Sequence, residues 1–274
     1  MASPCSRRAI SIALVSSGLH LSVARVRAEQ PVRIAAAASF RQAVDDIIAA
    51  YQKQTGQKML PTYGATGNLV NQIQQGAPFD LFLAADEEST ARIASAGLAA
   101  GAPELLVRGG ISLITPRASP LAFSGSFRVT PTAGGPTPGG QQLRAAFEAG
   151  QIRRFAIGNP ELAPYGKAAR EALENLGLLQ LAAPRFVFGE NVGQVAQYVA
   201  SGAAEAGITA TALTKAEPLA SALTGVELPQ SLHAPINQTF IVLKRAGAGA
   251  AAFRAFLKGA DARAIFERHG FVTP

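Results

Sequence analysis

Four short stretches place hydroxyls, glycines or bare backbone just where a helix is about to begin: "AAASF" (36–40), "YGATGNL" (63–69), "NPELAPYGKAA" (159–169) and "GENVGQVA" (189–196). The first turn of a helix has N–H groups without intrahelical partners and carries the positive end of the macrodipole. Such a turn binds an anion without needing a charged side chain. Ser39 falls at the expected N-cap of a helix over 40–56, and plain capping, with its Oγ accepting from a helical N–H, is the simpler account of that residue alone. Thr66 lies between Gly64 and Gly67. An ordinary glycine-rich turn explains it, although glycines also let a ligand press against backbone N–H groups. "GATGNL" lacks the lysine of a phosphate-binding P-loop. The run "IAAAASF" (34–40) fills a core poorly and suits a close approach to the backbone at Ser39.

Catalytic chemistry is harder to build. There is no GxSxG nucleophile elbow and no evident Ser/His/acid set. The pairs Asp45–Asp46 and Glu87–Glu88 read as solvated helix faces. Asp80 and Asp86 flank a strand and are the carboxylates a secreted hydrolase would use in a cleft. Cys5 is the only cysteine, and His233 and His269 have no metal-ligand spacing. Neither a disulfide nor a direct protein–metal ligand is expected.

The elements that must position these loops alternate. Strands are expected over 32–38, 57–64, 79–86, 110–116, 154–160, 185–191, 204–212 and 236–245. Helices are expected over 40–56, 68–76, 87–97, 142–150, 165–177 and 192–202, with two more near the C-terminus. Val44, Ile47, Ile48 and Tyr51 make the apolar stripe of the first helix. The Pro/Gly/Ser/Thr-rich segment 117–141 reads as a loop or insertion. This order predicts an α/β protein of mostly parallel sheets flanked by helices. The strand at 110–116 and the return strand at 236–245 suggest two lobes sharing two crossings. The spans are 29–111 with 236–274 for the first lobe and 112–235 for the second, and the last helices pack on the first lobe.

Residues 1–28 have the form of an export signal, which places the mature chain in the periplasm. Arg7–Arg8 precede the short apolar "AISIALVSSGLHL" (9–21), and "VRA" (26–28) offers a cleavage site. "SRR" at 6–8 hints at the twin-arginine route. Cys5 lacks a lipobox. Arg7, Arg8, Arg25 and Arg27 account for four of the formal +7, so +3 remains for the rest. That modest surplus, with no basic run interleaved with aromatics, argues against nucleic acid. No later apolar run is long enough to span a bilayer, so the mature chain is expected to be soluble.

Taken in order, the motifs "AAASF", "YGATGNLVNQIQQGAPFDLFLAAD", "AIGNPELAPYGKAAREAL", "GENVGQVAQYVASGAAEAGI" and "IFERHGF" resemble the periplasmic molybdate-binding protein family over about Val32 to Phe271. The resemblance implies a two-lobed type II periplasmic-binding fold with two hinge crossings. It implies a monomer that binds molybdate, and tungstate with it, without a cofactor, and delivers it to the membrane permease and ATPase of an ABC importer. Molybdenum would enter only as the oxyanion. Carried across by motif, Ser39 and Thr66 supply hydroxyl and main-chain donors, and Tyr165 and Val192 supply main-chain N–H. Some members add a tyrosine hydroxyl where this chain has Ala210, so that contact is expected to be missing or to be replaced by Tyr63 or Tyr165. Glu161 and Glu190 are expected to support helix starts or point away. Another tetrahedral oxyanion such as sulfate is the nearest alternative ligand, and the hydrolase is the alternative of a different class.

Overall fold

The computed structural model describes residues 30–127 and 137–274. The export signal and residues 128–136 of the Gly/Pro-rich segment lie outside the described residues. The elements run β1 (Val32–Ala37), α1 (Arg41–Thr55), β2 (Met59–Gly64), α2 (Thr66–Gln74), β3 (Leu81–Ala84), α3 (Glu87–Ser95), β4 (Glu104–Gly109), β5 (Ile111–Pro116), α4 (Pro138–Glu148) and β6 (Phe155–Gly158). They continue with α5 (Pro164–Asn175), α6 (Leu179–Ala182), β7 (Phe186–Gly189), α7 (Val192–Ala200), β8 (Ala206–Ala210), α8 (Leu219–Ala222), β9 (Leu223–Leu228), β10 (Ile236–Val242), α9 (Ala248–Leu257) and α10 (Ala260–Arg268).

Two five-stranded sheets result, ordered β2–β1–β3–β10–β4 and β7–β6–β8–β5–β9. The expectation of mostly parallel sheets is corrected to mixed ones. In the first sheet β1 pairs in parallel with β2 and β3, while β10 pairs antiparallel with β3 and β4. In the second, β6 is parallel to β7 and β8, while β5 is antiparallel to β8 and β9. The antiparallel pairings belong to strands that border the two passages between sheets, at Gly110 and at residues 229–235. A strand arriving from the other lobe is free of the helical crossover that a parallel neighbour requires.

Two of these strands, β4 and β9, carry no expectation from sequence. Each forms an edge and is buried only in part, so neither shows a sustained apolar run. The helix expected over 142–150 starts earlier, at Pro138, because proline suits the first helical position even when two glycines follow it.

The expected stripe of α1 is buried as a unit: Val44, Ile47, Ile48 and Tyr51. Tyr51 meets Phe253 and Phe256 of α9, each at 5.1 Å between ring centroids. Phe40 stacks on Phe271 at 5.5 Å and meets Phe266 of α10 edge-on at 6.0 Å. Each of these aromatics adds to the transfer of apolar surface out of water. The C-terminal helices are thereby bound to the start of the chain. The alanine run is buried throughout, with Ala36, Ala37 and Ala38 in the same core as these aromatics and Ala35 facing Leu69, Val70 and Phe82 in the other. Its small size has a consequence across the lobe boundary, since a Cβ placed on Gly193 of α7 would lie 4.0 Å from that of Ala38.

Candidate functional site

The C-terminal ends of β1 and β2 and the N-terminal turns of α2, α5 and α7 face one another across the lobe boundary. They line a narrow cavity of about 10 Å³, whose lining contains Ser39, Thr66, Tyr165 and Val192. All four residues singled out in the sequence are therefore brought together. The rest of the lining is Ala37, Ala38, Gly64, Ala65, Ala85, Ala163, Pro164 and Asn191, so no lining residue is charged.

Ser39 does not cap α1. It lies within a 3-10 turn (Ala38–Phe40), α1 starts at Arg41, and Phe40 stands at its N-cap with no side-chain cap bond. The Ser39 Oγ instead donates to Gln238 Oε1 of β10 at 2.9 Å. Capping, the simpler account from sequence, is thus replaced by a contact almost two hundred residues away. Thr66 is the first residue of α2, two positions earlier than the expected helix start. Its Oγ1 accepts from the Ala85 N–H at 3.3 Å, which leaves the hydroxyl proton free to point elsewhere.

Tyr165 and Val192 contribute through the backbone. Pro164 opens α5 with Tyr165 next, and Val192 opens α7 behind an Asn191 N-cap whose side chain accepts from Gln194 N. The N–H groups of Thr66, Tyr165 and Val192 all fall in first turns, where the helix supplies no carbonyl. The Val192 carbonyl is held by Thr209 Oγ1 at 2.8 Å, which fixes the orientation of that peptide.

Of the two tyrosines expected to substitute at Ala210, Tyr63 is ruled out. Its hydroxyl donates to Asp45 Oδ1 at 2.6 Å under the Arg41 guanidinium, and it does not line the cavity. Burial pushes its pKa up, and the Asp45 carboxylate adds to that. Tyr165 remains. Its phenol is fully enclosed, and burial raises its pKa above the ordinary phenolic value, with the neighbouring Ser39 hydroxyl pulling the other way. It stays a neutral donor. Its Oη has no hydrogen-bond partner of acceptable geometry. Ala210 itself is buried outside the lining.

The mouth is held shut by polar contacts between lobes. Gly67 N donates to Leu162 O at 3.0 Å, and Asn68 Nδ2 donates to Glu190 Oε1 at 2.7 Å. A Cβ on Gly67 would stand 3.2 Å from that same Leu162 carbonyl, so closure depends on glycine there. Lys167 and Glu88 approach to 4.0 Å beside them. Glu190 is thus a rim clasp, a role the sequence reading missed. Both partners sit inside quoted motifs, but only the fold pairs them. Glu161 donates its N–H to Asn159 Oδ1 and does not line the cavity.

The carboxylates that a hydrolase would use are elsewhere. Asp80 Oδ2 accepts from Arg33 N at 2.7 Å at the opposite end of β1, and Asp86 caps α3 by accepting from Ser89 N. Asp46 meets His269 at 2.9 Å, and Glu87 accepts from Asn237. His233 is engaged with the Ala234 carbonyl, and burial lowers its pKa. Among the described residues no group of three or more His, Cys, Asp or Glu side chains could hold a metal.

What the cavity can do follows from its donors. It presents hydroxyls and first-turn N–H groups, with neither a general base nor a fixed cation. That suits a small anion able only to accept hydrogen bonds. A two-lobed α/β chain with such a cavity at its lobe boundary is, as a class, a type II periplasmic-binding protein.

A family model for bacterial extracellular solute-binding proteins matches residues 32–272, and the chain belongs to that family. The molybdate-binding protein ModA of Azotobacter vinelandii is 29% identical over 265 residues, covering 96% of this chain and 97% of that protein. ModA of Rhodobacter capsulatus is 29% identical over 257 residues, covering 93% of each. The solved structure of the Azotobacter vinelandii periplasmic molybdate-binding protein matches with a TM-score of 0.73 at 29% identity, covering 89% of this chain and 99% of that one. These relatives are binding proteins by name.

Proposed function

We propose that this chain captures molybdate, and tungstate with it, in the periplasm and presents it to the permease of an ABC importer. The observation that carries the reading is the meeting of Ser39, Thr66, Tyr165 and Val192 around one uncharged cavity. The identity to two ModA proteins along nearly the whole chain supports it.

The physical argument runs from the ligand's chemistry. Molybdate near neutral pH is a fully deprotonated tetrahedral dianion, so every polar contact it makes must be a donated one. Hydrogen bonds to a charged group are worth roughly 1.5–3 kcal/mol each, net. About six of them offset the dianion's desolvation and leave tight binding. Monohydrogen phosphate carries a proton that finds no acceptor in such a donor set and is disfavoured for that reason. Sulfate has the same charge and shape but shorter bonds, so it is rejected by size, which the closed lobes set. Residues 29–111 with 236–274 form the lobe bearing the hydroxyls, and 112–235 the lobe bearing the bare N–H groups. Closure of one on the other creates the joint surface that a permease would read. The leader 1–28 directs export.

Titration calorimetry of the mature chain with molybdate, tungstate, sulfate and monohydrogen phosphate tests the reading. Molybdate and tungstate are expected to bind tightly and with similar affinity, with sulfate and phosphate far weaker. Sulfate binding without molybdate or tungstate binding would overturn it in favour of a different oxyanion.

A further inference from the structure

Ser112, Thr209 and Thr211 carry hydroxyls that the cavity does not use. All three are buried, and none belongs to its lining. They stand where β5 pairs with β8, at the end nearest the first passage between lobes, and Thr209 is directly opposite Ser112 in the register. Ser112 Oγ and Thr211 Oγ1 satisfy each other at 2.9 Å, and the Thr211 N–H donates to the Gly110 carbonyl at 2.9 Å. Thr209 differs from both. Its hydroxyl leaves the strand pair and donates to the carbonyl of Val192, the first residue of α7, at 2.8 Å.

The carbonyl does not need this donor. As the first residue of a helix, Val192 already offers its oxygen to the N–H four residues on. Valine, equal in shape to threonine, is the residue that a fully buried strand such as "AGITA" favours. What the hydroxyl adds is direction. The other polar bonds of this turn are internal to it. Asn191 Oδ1 and the Asn191 carbonyl both accept from Gln194 N, the same carbonyl accepts from Val195 N, and Gln194 Oε1 accepts from Glu190 N. These bonds fix the shape of the turn and leave the first N–H groups, those of Val192 and Gly193, without helical partners. They do not fix where the turn stands. The buried face of Val195, Ala196 and Val199 holds α7 in the lobe, but apolar contact is non-directional and resists rotation about the helix axis poorly. The Thr209 bond is directional, and it comes from β8, the central strand of its sheet.

Resting on the molybdate reading above, we propose that Thr209 is a positioning residue for the oxyanion. Its hydroxyl sets the rotation of the first turn of α7 against the sheet, so that the Val192 N–H is aimed into the cavity. Thr209 itself stays outside the lining and touches no ligand atom. The strand end that carries it is fastened in turn to the first passage between lobes, through Thr211 and Gly110. The donor on α7 is thereby referred to the point about which the lobes meet. No tyrosine hydroxyl stands at Ala210, while the hydroxyl one residue earlier acts on the ligand through a backbone donor.

The test sets affinity against stability, with calorimetry and thermal melts on the exported, mature chain. Thr209→Val keeps the shape and removes the hydroxyl. It is expected to weaken molybdate binding about five- to ten-fold with little change in melting temperature, because the Val192 carbonyl keeps its helical partner. Thr209→Ser keeps the hydroxyl and loses a buried methyl. It should melt earlier yet bind within about two-fold of wild type. A merely structural role predicts the opposite order, with affinity following stability. In a Val192→Pro background Thr209→Val should cost less than about two-fold, because the donor it aims is gone. If Thr209→Val melts early, Thr209→Ser and Thr209→Ala, which differ by the hydroxyl alone, carry the same comparison. Hydroxyl-free variants within about two-fold of wild type, or an equal loss with and without the Val192 N–H, overturn the positioning role. If wild type binds sulfate and not molybdate, the molybdate reading fails while the same variants, titrated with sulfate, still decide the role of Thr209. A wild type that binds none of molybdate, tungstate, sulfate and monohydrogen phosphate overturns both.

Discussion

Two hollows lie at opposite ends of β1. At its C-terminal end is the small cavity of Ser39, Thr66, Tyr165 and Val192, without a charged lining residue. At its N-terminal end is a groove of about 720 Å³ lined by Arg33, Asp80, Arg245 and Gln57 among others. A count of positive charge would send an anion to the groove. There, however, Arg33 and Arg245 are exposed, so water screens them, and the larger hollow imposes no size limit. In the cavity the donors are fixed by helix starts and cost no reorganisation when the anion arrives. The comparison teaches that selectivity for a dianion draws on backbone donors whose direction the helix starts fix.

The largest expected effect comes from deleting a backbone donor. Val192→Pro removes one N–H at a first helical position, where proline is well tolerated. The preceding Asn191, at φ −144° and ψ 170°, already has the extended backbone that proline requires of its neighbour. Molybdate affinity should fall about ten- to a hundred-fold by calorimetry, with circular dichroism unchanged. Next come the hydroxyls. Ser39→Ala and Thr66→Ala should each weaken binding about five- to thirty-fold while the fold stays intact, and unchanged affinity in both would break the assignment. Smaller again is the rim. Asn68→Ala, which loses the Glu190 clasp, should weaken binding about two- to five-fold, expressed as faster release in stopped-flow measurements. Smallest of all is the groove. Arg33→Gln and Arg245→Gln should change affinity by less than about two-fold. Binding should also stay flat between roughly pH 6 and pH 9, since the one titratable side chain in the cavity, Tyr165, is pushed above its ordinary value by burial and remains protonated.

Much of this was legible in the chain itself. Alternating elements with small or polar residues at their junctions pointed to the four loops and, within them, to Ser39 and Thr66, because helix periodicity and turn chemistry are local signals, whereas Tyr165 and Val192 followed only from the family resemblance. The stripe Val44, Ile47, Ile48 and Tyr51 is an example. What escaped was non-local. Leu106 and Val107 of β4 and the half-exposed β9 gain their strand character from distant partners, β10 and β5, on edges of the two sheets. Ser39 looked like a helix cap because serine before a helix usually is one. Its real partner, Gln238, is contributed by a strand at the other end of the chain. The one available signal was the polar run Asn237, Gln238 and Thr239 inside a strand that is otherwise apolar, "INQTFIV". Asn68 and Glu190 were visible as residues but not as a pair, since only lobe closure brings them within 2.7 Å.

Diffraction from crystals of the molybdate complex at the molybdenum absorption edge tests the central claim most directly. The account predicts a single anomalous peak in the cavity, with its oxygens within hydrogen-bonding distance of Ser39 Oγ, Thr66 Oγ1 and the N–H groups of Tyr165 and Val192, and no lysine or arginine in contact. A peak beside Arg33 and Arg245, or a cationic side chain among the ligand's partners, would contradict it.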